Sequence, residues 1–307
     1  MTERDTMKFN KLATVDYCGL VGPSKNKILE LSTLAPSLVD NDPTSDDEII
    51  TRIGDADCVL VSWRTKLTAA VLNACPSIKY VGMCCSLYDE KAANVDIAEG
   101  RKLGITVKGV KDYGDDGTLE FIFSQLIHLG KGLGPQKWRE GQDELTSKTI
   151  GIVGMGFLGK MVARAALMFK MKVYYNSRTR KPEMDELGCT FLPLDDMLPR
   201  CDVVTLHLPR NLCLFHDKEF GAMKKDAIFV NTSLGQPFDG DALFKWVGAQ
   251  SGNFALLDLP GSGQVTKDCA KYPNILLYPK PSGFTAEAQV RLTDKVYENM
   301  VNYLAGK

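Results

Sequence analysis

Residues 148–159 read Lys148-Thr149-Ile150-Gly151-Ile152-Val153-Gly154-Met155-Gly156-Phe157-Leu158-Gly159, and the reading of this stretch decides the fold. The apolar run from Ile150 to Val153 predicts a short buried strand, and it feeds a G-x-G-x-x-G cluster at Gly154, Gly156 and Gly159. A helix-like stretch, Phe157 to Lys170, opens directly from the cluster, and a second strand is expected at Lys172 to Tyr175. Each glycine answers a physical demand: a tight turn, close backbone approach to a pyrophosphate, and close packing of helix on strand. The helix N-terminus adds free N–H groups and a partial positive charge. A lone glycine cluster is a weak sign. Strand, turn, helix and strand in succession predict a dinucleotide held by Gly154, Gly156, Phe157, Leu158 and Gly159.

Downstream the βα alternation continues. Strands are expected at Asp202–Leu206, Ala227–Asn231, Ala255–Asp258 and Ile275–Tyr278, with helices at Asp195–Pro199, Lys218–Met223 and Gly240–Val247. Six strands make a complete Rossmann-like domain. Upstream, Leu12–Val15, Cys58–Ser62, Ile78–Gly82 and Ile105–Val107 suit buried parallel strands, and helices are expected at Lys25–Leu31, Asp46–Ile53, Thr68–Ala74 and Val95–Leu103. The fold class is therefore α/β: two doubly wound domains, Rossmann-like and flavodoxin-like, with parallel sheets and a cleft between them. Gly117 to Leu133 is apolar on most sides and reads as a buried helix joining two domains or two subunits. Thr285 to Leu304 reads as one amphipathic helix, with Val290, Val296, Met300 and Leu304 on its apolar side. If it crosses back, residues 1–113 and 284–307 form a discontinuous substrate (lid) domain, and residues 114–283 the dinucleotide-binding domain.

Bulk properties narrow the partners. The 307 residues carry a formal net charge of −1, with 44% hydrophobic and 24% charged residues, which gives no reason to expect nucleic acid or an anionic membrane. No apolar run reaches the roughly 18 residues of a membrane span. Met1 to Lys11 is too polar for a secretory signal. The nine cysteines are scattered without a C-x-x-C pair, so no metal site is expected, and reduced thiols point to a cytoplasmic protein.

Nucleotide choice is set where the second strand ends. Val173-Tyr174-Tyr175-Asn176-Ser177-Arg178-Thr179-Arg180-Lys181 holds no carboxylate before Glu183. An acid there would hold the ribose 2′-hydroxyl of NAD. Ser177, Arg178 and Thr179 instead suit a 2′-phosphate, so NADP(H) is preferred, with NAD(H) still possible. A merely solvated basic turn is the alternative.

Beyond the glycine cluster, the order of segments resembles the D-2-hydroxyacid dehydrogenase family over nearly the whole chain. The segments are Ile78-Lys79-Tyr80-Val81-Gly82 with Asn94-Val95-Asp96, then Val204-Thr205-Leu206-His207-Leu208-Pro209, Phe229-Val230-Asn231-Thr232-Ser233-Leu234-Gly235, Leu257-Asp258 and Pro279-Lys280-Pro281-Ser282-Gly283. The resemblance implies reduction of a 2-keto acid by hydride, with an arginine on the carboxylate, a histidine as proton donor and a glutamate tuning it. It also implies that Asp258 meets the nicotinamide carboxamide and that His207, Pro209, Thr232 and Ser233 border the cofactor. The three catalytic positions are changed: Leu234 stands for the arginine, Lys280 for the histidine, and Pro260-Gly261-Ser262-Gly263 holds no glutamate.

Two functions stay open. In one the chain is an NADP(H)-dependent oxidoreductase of altered substrate chemistry; in the other, a nucleotide-binding pseudoenzyme that works as a sensor or through protein contacts. The first needs new hands. Lys280 is the candidate proton donor, or a cofactor-phosphate partner, while Arg64 could replace the lost positive charge and Tyr113 could donate to a substrate. Asp112, Asp115 and Asp116 near Tyr113 read as caps of the long helix. The reshaped segment after Gly82 includes Cys84 and Cys85, read as packing residues before nucleophiles. A small-molecule substrate in the interdomain cleft and a homodimer complete the expectations.

Overall fold

Continuous apolar runs become fully parallel sheets in this protein, because strands covered on both faces have no polar side to show. The computed structural model describes residues 7–210 and 212–307. The chain divides into two compact units, Met1–Tyr113 with Thr285–Lys307, and Gly114–Phe284.

In the first unit, β1 (Leu12–Thr14), β2 (Cys58–Val61), β3 (Tyr80–Ser86) and β4 (Thr106–Val110) lie in that order. Helices α1 (Pro23–Glu30), α2 (Asp46–Ile53), α3 (Ala69–Ala74) and α4 (Ile97–Lys102) connect them. Ser45, Thr68 and Asp96 cap α2, α3 and α4 through their side-chain oxygens, as local sequence dictates. One face of the sheet, with Val59, Val61, Val81 and Met83, packs under Ile53, Val71 and Leu72. The other, with Leu12, Leu60 and Tyr80, packs under Ile28 of α1 and under Leu292, Val296 and Met300 of the C-terminal helix Ala286–Leu304. That helix buries Ala288, Leu292, Val296 and Met300, four residues apart on one face, whereas Val290, expected on that side, is 37% exposed.

Two departures from the expected strands matter here. β3 does not stop at Gly82 but runs to Ser86, with a register shift between those residues, so Met83, Cys84 and Cys85 lie in the sheet and not in a substrate loop. Alternation along the strand sends Cys84 into one core and Cys85 into the other, and both are buried packing residues. Beside β1, isolated parallel bridges Phe9–Ser32 and Ala13–Ser37 form a fringe that Pro36 keeps from becoming a regular strand.

The second unit begins with α5 (Asp115–Lys131) and continues β5 (Thr149–Val153), α6 (Phe157–Met168), β6 (Lys172–Asn176), α7 (Pro182–Glu186), β7 (Thr190–Phe191) and α8 (Leu194–Met197). It closes with β8 (Val203–Leu206), α9 (Asp217–Ala222), β9 (Ile228–Asn231), α10 (Gly240–Ala249), β10 (Phe254–Asp258), α11 (Leu259–Ser262) and β11 (Ile275–Tyr278). The strand order is β11-β10-β9-β8-β5-β6-β7, all parallel. Seven strands replace the expected six because β7 is only two residues long, too short for any periodicity to reveal. α5 buries Ile122, Phe123, Leu126 and Leu129 against Val162, Ala163 and Ala166 of α6, so its apolar face is spent inside its own unit. Gly132, left-handed at φ 64, ends it before Leu133.

Strand order reverses at β5, which lies between β6 and β8. In open parallel sheets ligands collect at that switch point, beyond the carboxyl ends of the strands. Those ends are where the candidate residues of this unit fall.

Candidate nucleotide and substrate site

The three glycines of the turn between β5 and α6 are required for different reasons. Gly154 adopts φ 99, and a Cβ there would stand 2.1 Å from the carbonyl oxygen of His207. A Cβ on Gly159 would stand 2.1 Å from the carbonyl oxygen of Gly154. Packing within the protein therefore demands both. Gly156 is the exception: a Cβ on it would meet nothing within 4 Å. It is the N-cap of α6 and has no side chain to offer, so no capping oxygen covers the first-turn N–H groups. An open glycine face beside uncapped helical N–H groups fits a pyrophosphate. Phe157 is 54% exposed and Leu158 half-buried at the same helix start.

At the end of β6, the Ser177 hydroxyl donates to the Thr179 carbonyl at 2.7 Å. Glu183 pairs with Lys160 at 2.7 Å, and that contact holds its carboxyl below the usual range. Asp185 pairs with Arg180 at 2.6 Å. The nearest acids are thus taken by other cations, while Arg178 is exposed and joined to no described residue by an ion pair. The basic turn is partly self-neutralised; Arg178 and Lys181 are joined to no described acid by an ion pair, and Lys181 Nζ donates to Thr179 Oγ1 at 3.1 Å.

The ends of β8 and β9 are knitted together. Ser233 Oγ donates to Leu206 O and accepts from Leu208 N, both at 3.1 Å. Asn231, fully buried, donates from Nδ2 to Gly261 O at 2.7 Å and to Gly235 O at 3.2 Å. His207 lies 3.1 Å through Nε2 from Thr205 Oγ1, while its Nδ1 is buried without a partner. Thr232 Oγ1 is likewise buried and unpartnered. Such atoms are costly unless a ligand meets them. His207 is thus half satisfied, between its two expected roles. Pro209 stands exposed just beyond it.

Burial pushes the His207 imidazole down to about 4, so the ring is neutral at pH 7. The depressed value means that the unfolded chain binds this proton first as pH falls. Stability from His207 is therefore fully present above about pH 6.5 and is lost as pH drops through about 4, at most about 3 kcal/mol. Urea unfolding at pH 7 and pH 5 should show a smaller loss of stability in His207→Gln than in the unsubstituted protein. Equal losses would contradict this assignment.

Asp258 ends β10 and is 2% exposed. Its Oδ1 accepts from Gly261 N at 2.8 Å, and its Oδ2 from Ser282 N at 2.8 Å and Ser282 Oγ at 2.7 Å. Burial raises its carboxyl, against the lowering effect of those hydrogen bonds. Both oxygens are therefore engaged inside the protein, capping α11 and pinning the segment that carries Lys280. Lys280 itself is exposed, so the surroundings described do not desolvate it; a bound ligand would have to. Leu234 is 42% exposed and Gly263 is left-handed at φ 55, where a Cβ would stand 2.7 Å from Gln236 Oε1. Neither can supply an arginine's or a glutamate's chemistry.

One cation escaped the motif reading. Arg210, directly after Pro209, donates from Nε to Leu234 O at 3.2 Å. Its only signal in the sequence is a charged residue at a strand end.

The candidates in the first unit all have partners within that unit. Arg64 pairs with Asp42 at 2.9 Å and donates to the Tyr17 carbonyl at 2.6 Å. Tyr113 packs on the core under the C-terminal helix, and its carbonyl accepts from Arg291 at 2.9 Å. Asp96 caps α4, while Asn94 Nδ2 donates to Ser62 O at 2.7 Å. The long helix takes Gly114, not an aspartate, as its N-cap; Asp115 and Asp116 lie in its first turn, where the dipole favours them.

Among the described residues no cluster of metal-ligating side chains occurs, and no helix is long and apolar enough to cross a membrane. The family profile described as D-isomer specific 2-hydroxyacid dehydrogenase, NAD binding domain, matches residues 125–280. A glyoxylate reductase of Korarchaeum cryptofilum is 30% identical over 292 residues, covering 87% of this chain and 86% of that protein. A glyoxylate reductase of Thermococcus onnurineus is 28% identical, with 87% and 86% covered. Among solved structures, an acyclic imino acid reductase in complex with NADPH and D-Arg superposes with a TM-score of 0.82 at 24% identity, covering 97% of this chain and 98% of that one. With a seven-stranded nucleotide sheet, the G-x-G-x-x-G cradle and these matches in hand, the chain belongs to the D-isomer specific 2-hydroxyacid dehydrogenase family, whose members are NAD(P)-dependent oxidoreductases.

Proposed function

We propose that the chain is an NADP(H)-dependent reductase of small carbonyl or imine compounds, with Lys280 as the proton donor. The observation that carries this reading is the pairing of an open Gly156 face on an uncapped helix with an uncommitted Arg178 at the end of β6. Gly156 and the first N–H groups of α6 would hold the pyrophosphate, and Ser177, Arg178 and Thr179 the 2′-phosphate. When bound, the cofactor supplies a hydride. His207, Pro209, Thr232, Ser233 and Asp258 border the place where the nicotinamide would lie. A neutral His207 brings no charge to that place, and the unpartnered Nδ1 and Thr232 Oγ1 can orient polar groups there. Lys280, on the segment pinned by Asp258 and Ser282, carries a proton for the substrate oxygen or nitrogen.

The test titrates NADPH and NADH against the pure protein and then follows oxidation of NADPH with a panel of carbonyls, glyoxylate included, and imines. NADPH should bind at least about 100-fold more tightly than NADH, and Arg178→Ala should remove most of that difference by weakening NADPH alone. Equal affinity for the two cofactors would refute the NADP(H) reading. Tight NADPH binding with no turnover across the panel would leave a nucleotide-binding protein that acts through protein contacts.

A further inference from the structure

We propose that Arg210 binds the anionic group of the substrate and thereby selects carbonyl compounds that carry a carboxylate, an inference that rests on the reductase reading above. The arginine follows His207-Leu208-Pro209 out of β8 and lies half-buried against the turn after β9. Its stem packs on that turn: the Cβ position of Gly235, a residue at φ 145, lies 3.5 Å from both Cα and Cγ of Arg210. A side chain at residue 235 would be strained by that φ, whereas its Cβ would rest in ordinary van der Waals contact with the arginine stem.

The tether is a single hydrogen bond, Nε to Leu234 O at 3.2 Å. A guanidinium has five N–H donors in a planar fork, so the four on Nη1 and Nη2 remain for a ligand. Arg52, Arg64, Arg101, Arg139 and Arg180 each pair with an aspartate or glutamate, whereas no ion pair joins Arg210 to a described residue. A tethered, unneutralised fork is pre-organised for a two-pronged contact with a carboxylate.

The surroundings say which carboxylate. The two loops that clamp Arg210 also hold the unpartnered Nδ1 of His207 and Oγ1 of Thr232, at the carboxyl ends of adjacent strands. They are locked together by Ser233 Oγ between Leu206 O and Leu208 N. An anion on Arg210 would thus be held by the same pair of strand-end turns that carry groups able to hydrogen-bond a neutral carbonyl or amide. A short molecule with a carboxylate next to a carbonyl or imine has both features. The positive charge absent from Leu234 is delivered to the same turn from a different strand end.

The experiment compares glyoxylate with its uncharged methyl ester as NADPH-dependent substrates, and measures oxamate binding to the NADPH-loaded protein by calorimetry. Arg210→Met should raise KM for glyoxylate by about 100-fold, change the ester's by less than about threefold and weaken oxamate in parallel, with NADPH affinity and Tm unaltered. Arg210→Lys should fall between, and added guanidinium ion should restore part of the glyoxylate activity of Arg210→Ala. An equal loss on glyoxylate and ester, or no loss on either, overturns the assignment while leaving the reductase reading in place. If the unsubstituted protein reduces nothing, oxamate decides: binding that Arg210→Met abolishes sustains the assignment without the reductase reading. Absence of oxamate binding to the unsubstituted protein overturns the assignment.

Discussion

Replacing Gly156 by alanine should weaken NADPH binding by about tenfold or more while moving the thermal midpoint by no more than about 2 °C. The reason is geometric. A methyl group at this position meets no protein atom within 4 Å, so the fold has nothing to expel it. It would project instead into the space through which a pyrophosphate must approach the α6 N-terminus. Alanine is also a poorer N-cap than glycine, a small cost that sets the tolerance on the midpoint. Gly154→Ala should behave differently, because its Cβ would overlap the His207 carbonyl and the residue sits at φ 99. Backbone strain of that kind costs about 1–3 kcal/mol before the steric overlap is added. The Gly154 variant should therefore lose stability and NADPH affinity together. Calorimetric unfolding and cofactor fluorescence titration of both variants would test this. A Gly156→Ala protein that binds NADPH normally would place the pyrophosphate elsewhere.

Asp258→Ala should be the most destabilising single truncation at the site, by about 3 kcal/mol. Three donors converge on this carboxylate: Gly261 N, Ser282 N and Ser282 Oγ. Alanine leaves two backbone N–H groups without an acceptor in a buried place, and each orphan costs about 1–3 kcal/mol. The Ser282 hydroxyl can turn towards Thr118 Oγ1, which already lies 3.3 Å away, so it softens the loss only slightly. Asp258→Asn keeps one acceptor oxygen and should cost about half as much. Limited proteolysis should cut residues 279–284 faster in the alanine variant, because that segment loses its anchor. An Asp258→Ala protein as stable as the original would mean that the carboxylate faces a ligand and anchors nothing.

Much of the nucleotide half was legible because its physics is local. A strand, a glycine turn and a helix start within twelve residues, 148–159, and each glycine's role follows from chain geometry at that point. The place of Ser177 and Arg178 just past the end of β6 was legible for the same reason, being read by distance along one strand. Contacts with partners remote in sequence were not legible. Nothing in residues 62–65 announces that Asp42 and the Tyr17 carbonyl occupy Arg64. The extension of β3 to Ser86, which carries Cys84 and Cys85 into the sheet, depends on pairing with Val110 of β4. Arg210 carries no motif; only the approach of the β8 and β9 loops gives it Leu234 as a tether.

The sequence by itself determined the α/β class, the glycine turn between strand and helix, and the family. These are one-dimensional facts, fixed by residue type and spacing along one stretch of chain. Tertiary structure decided which charges are free. An arginine's availability depends on which acid folds against it, and a buried histidine's protonation on what excludes water from its ring. Neither is written in the local sequence, so only the folded chain separates Arg64, already neutralised by Asp42, from Arg178 and Arg210, which no described acid neutralises.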